Sequence, residues 1–255
     1  MKIWTLIENT ACREDLTTEH GLSLYIEACG KKILFDTGKT HAFADNAEKM
    51  GIDLAQVDLC ILSHGHYDHG GGIARFLEIN PAAPVYLQQE AFGDHYSSGK
   101  YIGLDPALKD HPRLIPVSRD LCLGDGIRLC SRNTDPRPFP FGVFGQSVGA
   151  VAETYLHEQY LLLEEDGKTV CISGCSHKGI LNIAHWFQPN VLIGGFHFIR
   201  IPADDPILAD YARRLLSFPT QYYTCHCTGL QQYDVLKRHM GSRLEYLSAG
   251  SNIAL

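Results

Sequence analysis

One short segment constrains this chain more than any other part of its sequence: residues 64–69 read HGHYDH. The preceding residues 57–62, VDLCIL, form a short and mainly apolar run, which predicts a buried strand. Three glycines follow at residues 70–72, where they leave room for a helix to begin close to bound ions. A histidine-rich surface loop needs neither the buried strand nor the glycines, so the pattern indicates a metal site at a strand end.

The spacing within this segment predicts that its side chains ligate two adjacent metal ions. Side chains two residues apart in an extended chain lie on the same face, so His64 and His66 can both ligate one ion. The chain then turns, and Asp68 and His69 can serve a second ion nearby. Imidazole and carboxylate donors suit several divalent metals, so we expect two divalent ions, with zinc first and iron or manganese as alternatives.

The order of the other patterns predicts the fold class. Alternating apolar residues at 23–28 and an apolar run at 33–35 predict two strands, with a hairpin turn at Gly30 between them. Helical patterns, such as residues 41–50, then mix with short apolar runs, and the same order recurs in the second half. Two packed sheets with helices outside suit this order, so we expect a single α/β domain over residues 1–255.

Composition restricts the partners and the compartment. A net charge of −7 offers nothing to a polyphosphate backbone, so a small molecule is expected as partner rather than nucleic acid. Nine cysteines, an odd number without C-x-x-C pairs, fit neither a secreted disulfide framework nor a zinc ribbon. No window resembles a signal peptide or a membrane span, so we expect a cytoplasmic protein with reduced thiols and no membrane partner. No feature indicates an oligomeric state.

The H-x-H-x-D-H pattern after an apolar strand resembles the signature of the metallo-β-lactamase superfamily, and further motifs follow in that superfamily's order. They are Asp36 in FDTG, His157 before an apolar run, Cys175 in SGC and His226 in CHCTG. The resemblance covers essentially the whole chain and implies a four-layer αββα sandwich with the site at one edge. Cys175 stands where many members have a bridging aspartate, and a thiolate there can ligate zinc instead.

The resemblance also implies a ligand set for each ion, with Asp36 as a carboxylate behind the ligands. The implied ligands are His64, His66 and His157 for the first ion, and Asp68, His69, His226 and Cys175 for the second. His177 is an alternative to Cys175 at the second ion. Three side chains are candidates for catalysis: Asp68 to orient the nucleophile, and His177 or His197 to protonate the leaving group.

Several short strings resemble a narrower branch, the dihydropterin ribofuranosyl-aminobenzene phosphate synthase-like proteins. They are GLS at 21–23, HEQ at 157–159, GCSHKGI at 174–180, GGFH at 194–197 and HCTG at 226–229. Archaeal members of that branch act in methanopterin synthesis, and many bacterial relatives share the strings without a clear substrate. The branch therefore implies pterin chemistry as one alternative for this chain.

These observations support three hypotheses about function. The first is a metal-dependent hydrolase in which two ions activate a shared water, acting on a phosphate ester or phosphodiester. The second is a pterin-related synthase, a transferase of methanopterin-type biosynthesis. The third is a non-catalytic metal-binding or ligand-binding protein, which the retention of almost every implied ligand argues against.

Other aromatic side chains are open to two interpretations. His20 lies in a polar loop and is a weak candidate for the site, whereas His95 is expected on the surface or on a helix face. Phe139, Phe141 and Phe144 fall in a Pro- and Gly-rich loop and could form an aromatic lip over the site or a plain hydrophobic plug.

Overall fold

The computed structural model describes residues 1–141 and 146–255, and Phe144 lies outside them. Among these residues the strands are, in chain order, β1 (Lys2–Ile7), β2 (Ser23–Ala28), β3 (Lys31–Phe35), β4 (Leu59–Ile61), β5 (Val85–Gln88), β6 (His95–Ser97), β7 (Lys100–Tyr101), β8 (Leu114–Val117), β9 (Leu121–Gly124), β10 (Ile127–Cys130), β11 (Gln146–Val148), β12 (Val151–Ala152), β13 (Tyr160–Glu165), β14 (Lys168–Ile172), β15 (Val191–Ile193), β16 (Gln221–Thr224), β17 (Leu244–Tyr246) and β18 (Asn252–Ala254). The helices are α1 (Ala42–Lys49), α2 (Tyr67–Gly70), α3 (Ile73–Ile79), α4 (Ile180–Phe187), α5 (Ile207–Leu215) and α6 (Leu230–Met240).

Two seven-stranded sheets and one four-stranded sheet contain these strands. The first large sheet has the order β18-β1-β2-β3-β4-β5-β8, and the second has the order β17-β16-β15-β14-β13-β10-β9. The small sheet has the order β12-β11-β6-β7. No helix of the described residues is long and apolar enough to cross a membrane.

Three apolar clusters hold the layers together. Side chains from both large sheets, such as Ile33 and Leu161, meet in one cluster between the sheets. Leu34 points the other way and packs with Phe43 of α1 and Phe76 of α3, as the two-residue period of a strand requires. A third cluster joins the second sheet to α4, α5 and α6. Burial of each large apolar side chain contributes about 1.5–3 kcal/mol, and the resulting order confirms the αββα sandwich.

Parallel strands place the candidate site. Within the first sheet β3 and β4 are parallel, and within the second β14, β15 and β16 are parallel. The candidate side chains follow the carboxyl ends of these strands: Asp36 after β3, residues 63–69 after β4, Cys175 and His177 after β14, His197 after β15, and His226 after β16. Because the ends of parallel strands meet at one edge, residues far apart in sequence converge there.

Two of the glycines at 70–72 lie directly against the backbone that follows β3. A Cβ on Gly71 would lie 2.1 Å from the carbonyl oxygen of Lys39, and one on Gly72 would lie 2.3 Å from that of Thr37. Gly71 and Gly72 therefore let α2 and α3 pack against the backbone that follows β3.

Candidate metal centre

Asp36 holds Ser63 and His69, at the two ends of the histidine-rich segment, in place. Its carboxylate is fully buried and accepts hydrogen bonds from the backbone N–H of Ser63 at 2.7 Å, from the Ser63 hydroxyl at 2.7 Å and from Nδ1 of His69 at 2.6 Å. A carboxylate that holds the proton on Nδ1 leaves the Nε2 lone pair of the same ring for a cation. Nε2 of His69 lies 3.1 Å from Sγ of Cys175.

The charge state of His69 reflects these neighbours. Burial alone would lower its pKa, but the carboxylates of Asp36 and Asp68 raise it to about 9. Although burial would raise the pKa of Asp68, the imidazoles of His69 and His226 hold it well below its usual range. With a pKa of about 9, His69 carries a proton on both ring nitrogens at pH 7, and a cation at Nε2 would take the place of the second proton.

A first cluster consists of His64, His66 and His177, whose ligand atoms lie within 4.8 Å of one another. Nε2 of His64 is 3.2 Å from Nε2 of His177, and the ring of His177 stacks on Tyr155 with 4.6 Å between ring centroids. Burial lowers the pKa of His64 and of His177 well below the ordinary value, and that of His66 to about 3. Each ring is therefore neutral at pH 7 and can offer a lone pair.

His157 is close to this cluster but is committed to another contact. Its Nδ1 accepts the backbone N–H of Gly65 at 2.8 Å. A neutral imidazole that accepts at Nδ1 carries its proton on Nε2, so it has no lone pair for an ion there. Although His66, His95 and His157 also bring ligand atoms within 4.8 Å of one another, this hydrogen bond favours His157 as a support for the loop.

His95 belongs to the same support and is not at the surface as its sequence context suggested. It is 2% exposed, its Nδ1 donates to Glu153 at 2.8 Å, and its ring stacks on His157 with 3.9 Å between centroids. Glu153 is also 3.7 Å from Nε2 of His157. The Glu153 carboxylate thus provides a polar partner for the buried pair of His95 and His157, whose rings lie next to that of His66.

A second cluster contains Asp68, His69, Cys175 and His226. Nε2 of His226 is 3.4 Å from the Asp68 carboxylate, and ligand atoms of Cys175, His226 and Cys227 lie within 4.8 Å of one another. Cys175 also groups with His64 and His69, so its thiol lies between the two clusters.

Unsatisfied nitrogens test whether cations fit this centre. Nε2 of His66, of His157 and of His226 is buried and has no hydrogen-bond partner among the described residues. On His157 this nitrogen carries the ring proton, whereas on His66 and His226 it can offer a lone pair. Buried polar atoms without partners are costly in folded proteins, and each normally has an explanation such as an ion. Together with Asp68 and the Cys175 thiol, the two nitrogens that offer a lone pair form a donor set that suits divalent cations.

The clusters face a cleft with a volume of about 150 Å³. His197 lines it, with its ring centroid 4.4 Å from that of His177. His20 lines it as well, with Nε2 3.3 Å from the Asp68 carboxylate. A larger groove of about 420 Å³ lies beside α1 and α3 and contains none of the candidate ligands.

Comparison with known proteins agrees with this architecture. Residues 16–129 match the family model of the metallo-beta-lactamase superfamily. The solved structure of Tm1679, a metal-dependent hydrolase of the beta-lactamase superfamily, superimposes on this chain with a TM-score of 0.82. The two sequences are 28% identical, and the match includes 100% of this chain and 99% of Tm1679. Residues 16–129 thus match the metallo-beta-lactamase family model, and the fold of the whole chain is similar to that of Tm1679.

Two curated relatives of this chain come from Methanocaldococcus jannaschii. One is 7,8-dihydropterin-6-methyl-4-(beta-D-ribofuranosyl)-aminobenzene-5'-phosphate synthase, which is 28% identical over 99% of this chain and 96% of the relative. The other is an uncharacterised protein, 26% identical over 89% of this chain and 90% of the relative. The resemblance to the synthase-like branch thus extends over the full length of the chain.

Three residues that hold the histidines of this site in place were not found from sequence. Glu8 is fully buried and accepts the backbone N–H of His226, while the side chain of Asn9 contacts Nδ1 of His226 at 2.9 Å. Glu158 accepts the backbone N–H of His177 at 2.6 Å. In the sequence, Glu8, Asn9 and Glu158 are noticeable only as polar residues beside a buried strand. The residues that they contact are too far away along the chain to be predicted from that pattern.

The phenylalanines of the Pro-rich loop do not line the cleft in the described part of the chain. Phe139 and Phe141 pack against the cluster beneath α4 and α5, and Phe139 also exchanges backbone hydrogen bonds with the side chain of Asn182. For Phe139 the structure favours a hydrophobic plug, whereas the ring centroid of Phe141 also lies 6.5 Å from that of His197, which lines the cleft.

We expect Asp36→Asn to weaken both folding and metal binding. The amide cannot accept from Ser63 and His69 as the carboxylate does, so the free energy of unfolding should fall by about 3 kcal/mol and metal affinity by about 10- to 100-fold. Denaturant titration and competition with a chelator measure the two effects. Asp45→Asn, at an exposed position of α1, is the matched control and should change neither. Equal metal affinity in both variants would show that Asp36 does not orient a ligand.

Proposed function

We propose that this chain is a metal-dependent hydrolase whose site holds two divalent cations. The observation that supports it best is a pair of neighbouring donor clusters, with the Cys175 thiol between them, that open onto one small cleft. The solved structure of Tm1679, which matches over 100% of this chain and 99% of its own, is described as a metal-dependent hydrolase.

We assign the ligands by the lone pairs that the hydrogen bonds leave available. The first ion would be held by His64, His66 and His177, with His177 in the role that the motif order had given to His157. The second would be held by Asp68, His69, Cys175 and His226. Imidazoles with one thiolate favour zinc over manganese, because the softer sulfur ligand suits zinc.

When bound, the ions supply Lewis acidity and lower the pKa of water in the cleft. The chain's own groups provide the remaining functions. Asp68 can orient the attacking oxygen as well as bind, and His197 lines the cleft where it can deliver a proton to a leaving group. Burial keeps His177 neutral, which favours it as a ligand rather than as a proton donor.

Hydrolysis in heavy-oxygen water tests this function. Metal-loaded protein is incubated with a panel of phosphate monoesters, phosphodiesters and carboxylic esters, and the products are analysed by mass spectrometry. We expect one product to carry the heavy oxygen and turnover to need one organic substrate only.

The full-length similarity to the pterin-related synthase supports a second candidate, a transferase. It would show activity only when a pterin alcohol phosphate and an arylamine are supplied together, with no heavy oxygen in the product. Metal binding without turnover in either assay would instead support a non-catalytic binding protein.

The assignment of His177 over His157 gives a direct comparison. We expect His177→Ala to lower the metal content from about two ions to about one ion per chain, because a ligand is lost. His157→Ala should retain both ions and lose stability, because the N–H of Gly65 loses its acceptor in a buried position. Elemental analysis and thermal unfolding of the two variants measure these effects. Loss of metal from His157→Ala alone would restore the ligand set expected from motif order.

A further inference from the structure

The cleft has a second wall that the metal ligands do not account for. Ser97 from β6 and Gln146 from β11 bring the small four-stranded sheet to it, and Ile199 and Arg200 reach it from the segment after β15. These residues surround the space next to the metal centre, so they are placed to contact the parts of a substrate that do not react.

Arg200 differs from its surroundings in charge. Among the described residues that line the cleft, it is the one lysine or arginine. The chain as a whole has a net charge of −7, and the carboxylate in the cleft, Asp68, faces the cation site. A permanent positive charge at this rim favours an anion there, because a guanidinium stays protonated at every physiological pH.

The contact between Arg200 and Ser97 allows two explanations. Nη2 of Arg200 donates to Oγ of Ser97 at 3.0 Å, which could simply fasten the small sheet to the rest of the chain. A guanidinium has five donors in a planar fork, however, so it can hold Ser97 and an oxyanion at the same time. The contact would then set the direction of the fork.

We propose that Arg200 recognises an anionic oxygen group, a phosphate or a carboxylate, that the substrate carries next to its reacting bond. This inference rests on the proposed function for the identity of the reacting bond. In a cleft of about 150 Å³, the anionic group and the reacting bond of the substrate have to lie close together on a small molecule. The neighbouring Ile102 and Ile199 suit an apolar portion between them.

Binding of simple anions to the metal-loaded protein tests the proposal. Calorimetric titrations use phenyl phosphate, benzoate and the uncharged benzyl alcohol, since the first two separate a phosphate preference from a carboxylate preference. We expect Arg200→Gln to weaken binding of at least one anion by about 10- to 100-fold, as for other charge-assisted hydrogen bonds. Arg200→Lys should recover part of the loss, and benzyl alcohol should bind equally to all variants.

Two controls distinguish recognition of an anion by Arg200 from a purely structural contact with Ser97. Ser97→Ala removes the contact but keeps the guanidinium, and Arg213→Gln removes an exposed arginine of α5 outside the cleft. Both should bind the anions within about twofold of the parent, which is below the loss expected for a charged hydrogen bond. If Ser97→Ala loses as much affinity as Arg200→Gln, or if Arg200→Gln binds as Arg213→Gln does, the proposal is overturned. Because the readout is binding, absence of turnover would refute the hydrolase function alone.

Discussion

Replacing His66 by alanine is expected to empty the first cluster of metal and to lower turnover by at least about 100-fold, since loss of a mere supporting group already costs about 10- to 100-fold. His66 is buried, is neutral because burial lowers its pKa to about 3, and has an Nε2 without a hydrogen-bond partner among the described residues. Elemental analysis of the purified variant and steady-state kinetics on the best ester of the panel measure both effects.

His41→Ala is the matched control for that variant. His41 precedes α1, is 69% exposed and contacts Asp45 rather than the centre. It should keep the metal content and the activity of the parent. A His66→Ala protein that retains full metal content and turnover would show that this cluster does not bind the catalytic ion.

The second large effect is expected at Cys175. Its thiol lies between the two clusters, so Cys175→Ser should remove one ion selectively and leave the other bound, with activity reduced by at least about 100-fold. A serine hydroxyl is a harder and weaker ligand for zinc than a thiolate. Replacement of zinc by cobalt gives a second readout, because a thiolate–cobalt charge-transfer band in the parent should disappear in the variant.

Two other cysteines provide the controls for this result. Cys171→Ser changes a fully buried cysteine of β14 that packs in the core, so it should lower stability without changing metal content. Cys227 lies beside Cys175 and His226 and was not singled out by sequence. If Cys227→Ser loses the ion and Cys175→Ser keeps it, the thiolate ligand has been assigned to the wrong residue.

Local patterns were sufficient for most of the fold because strands and amphipathic helices leave clear periods in the sequence. The helix α4 was missed, since its first residues are buried together and show no polar face. The small sheet was missed because its strands have only two or three residues, too short for an alternation to appear.

The metal centre, too, could be predicted from sequence only where its residues are close together along the chain. The close spacing of His64, His66, Asp68 and His69 could be interpreted from the segment alone. The choice between His157 and His177 could not, because it depends on which nitrogen accepts the N–H of Gly65, a contact between residues 92 positions apart. The contacts of Glu8 with His226 likewise join the two ends of the chain.

The central claim is that this chain binds two metal ions, one in the first cluster of His64, His66 and His177 and one in the second cluster that contains Cys175. The most direct measurement is the number of zinc ions per chain, determined by elemental analysis after metal loading and exhaustive dialysis, for the parent and for the double variant His64→Ala/His226→Ala. The account predicts about two ions in the parent and fewer than about 0.2 in the double variant, which lacks a ligand at each ion. Fewer than about one ion in the parent, or two ions retained in the double variant, would contradict it.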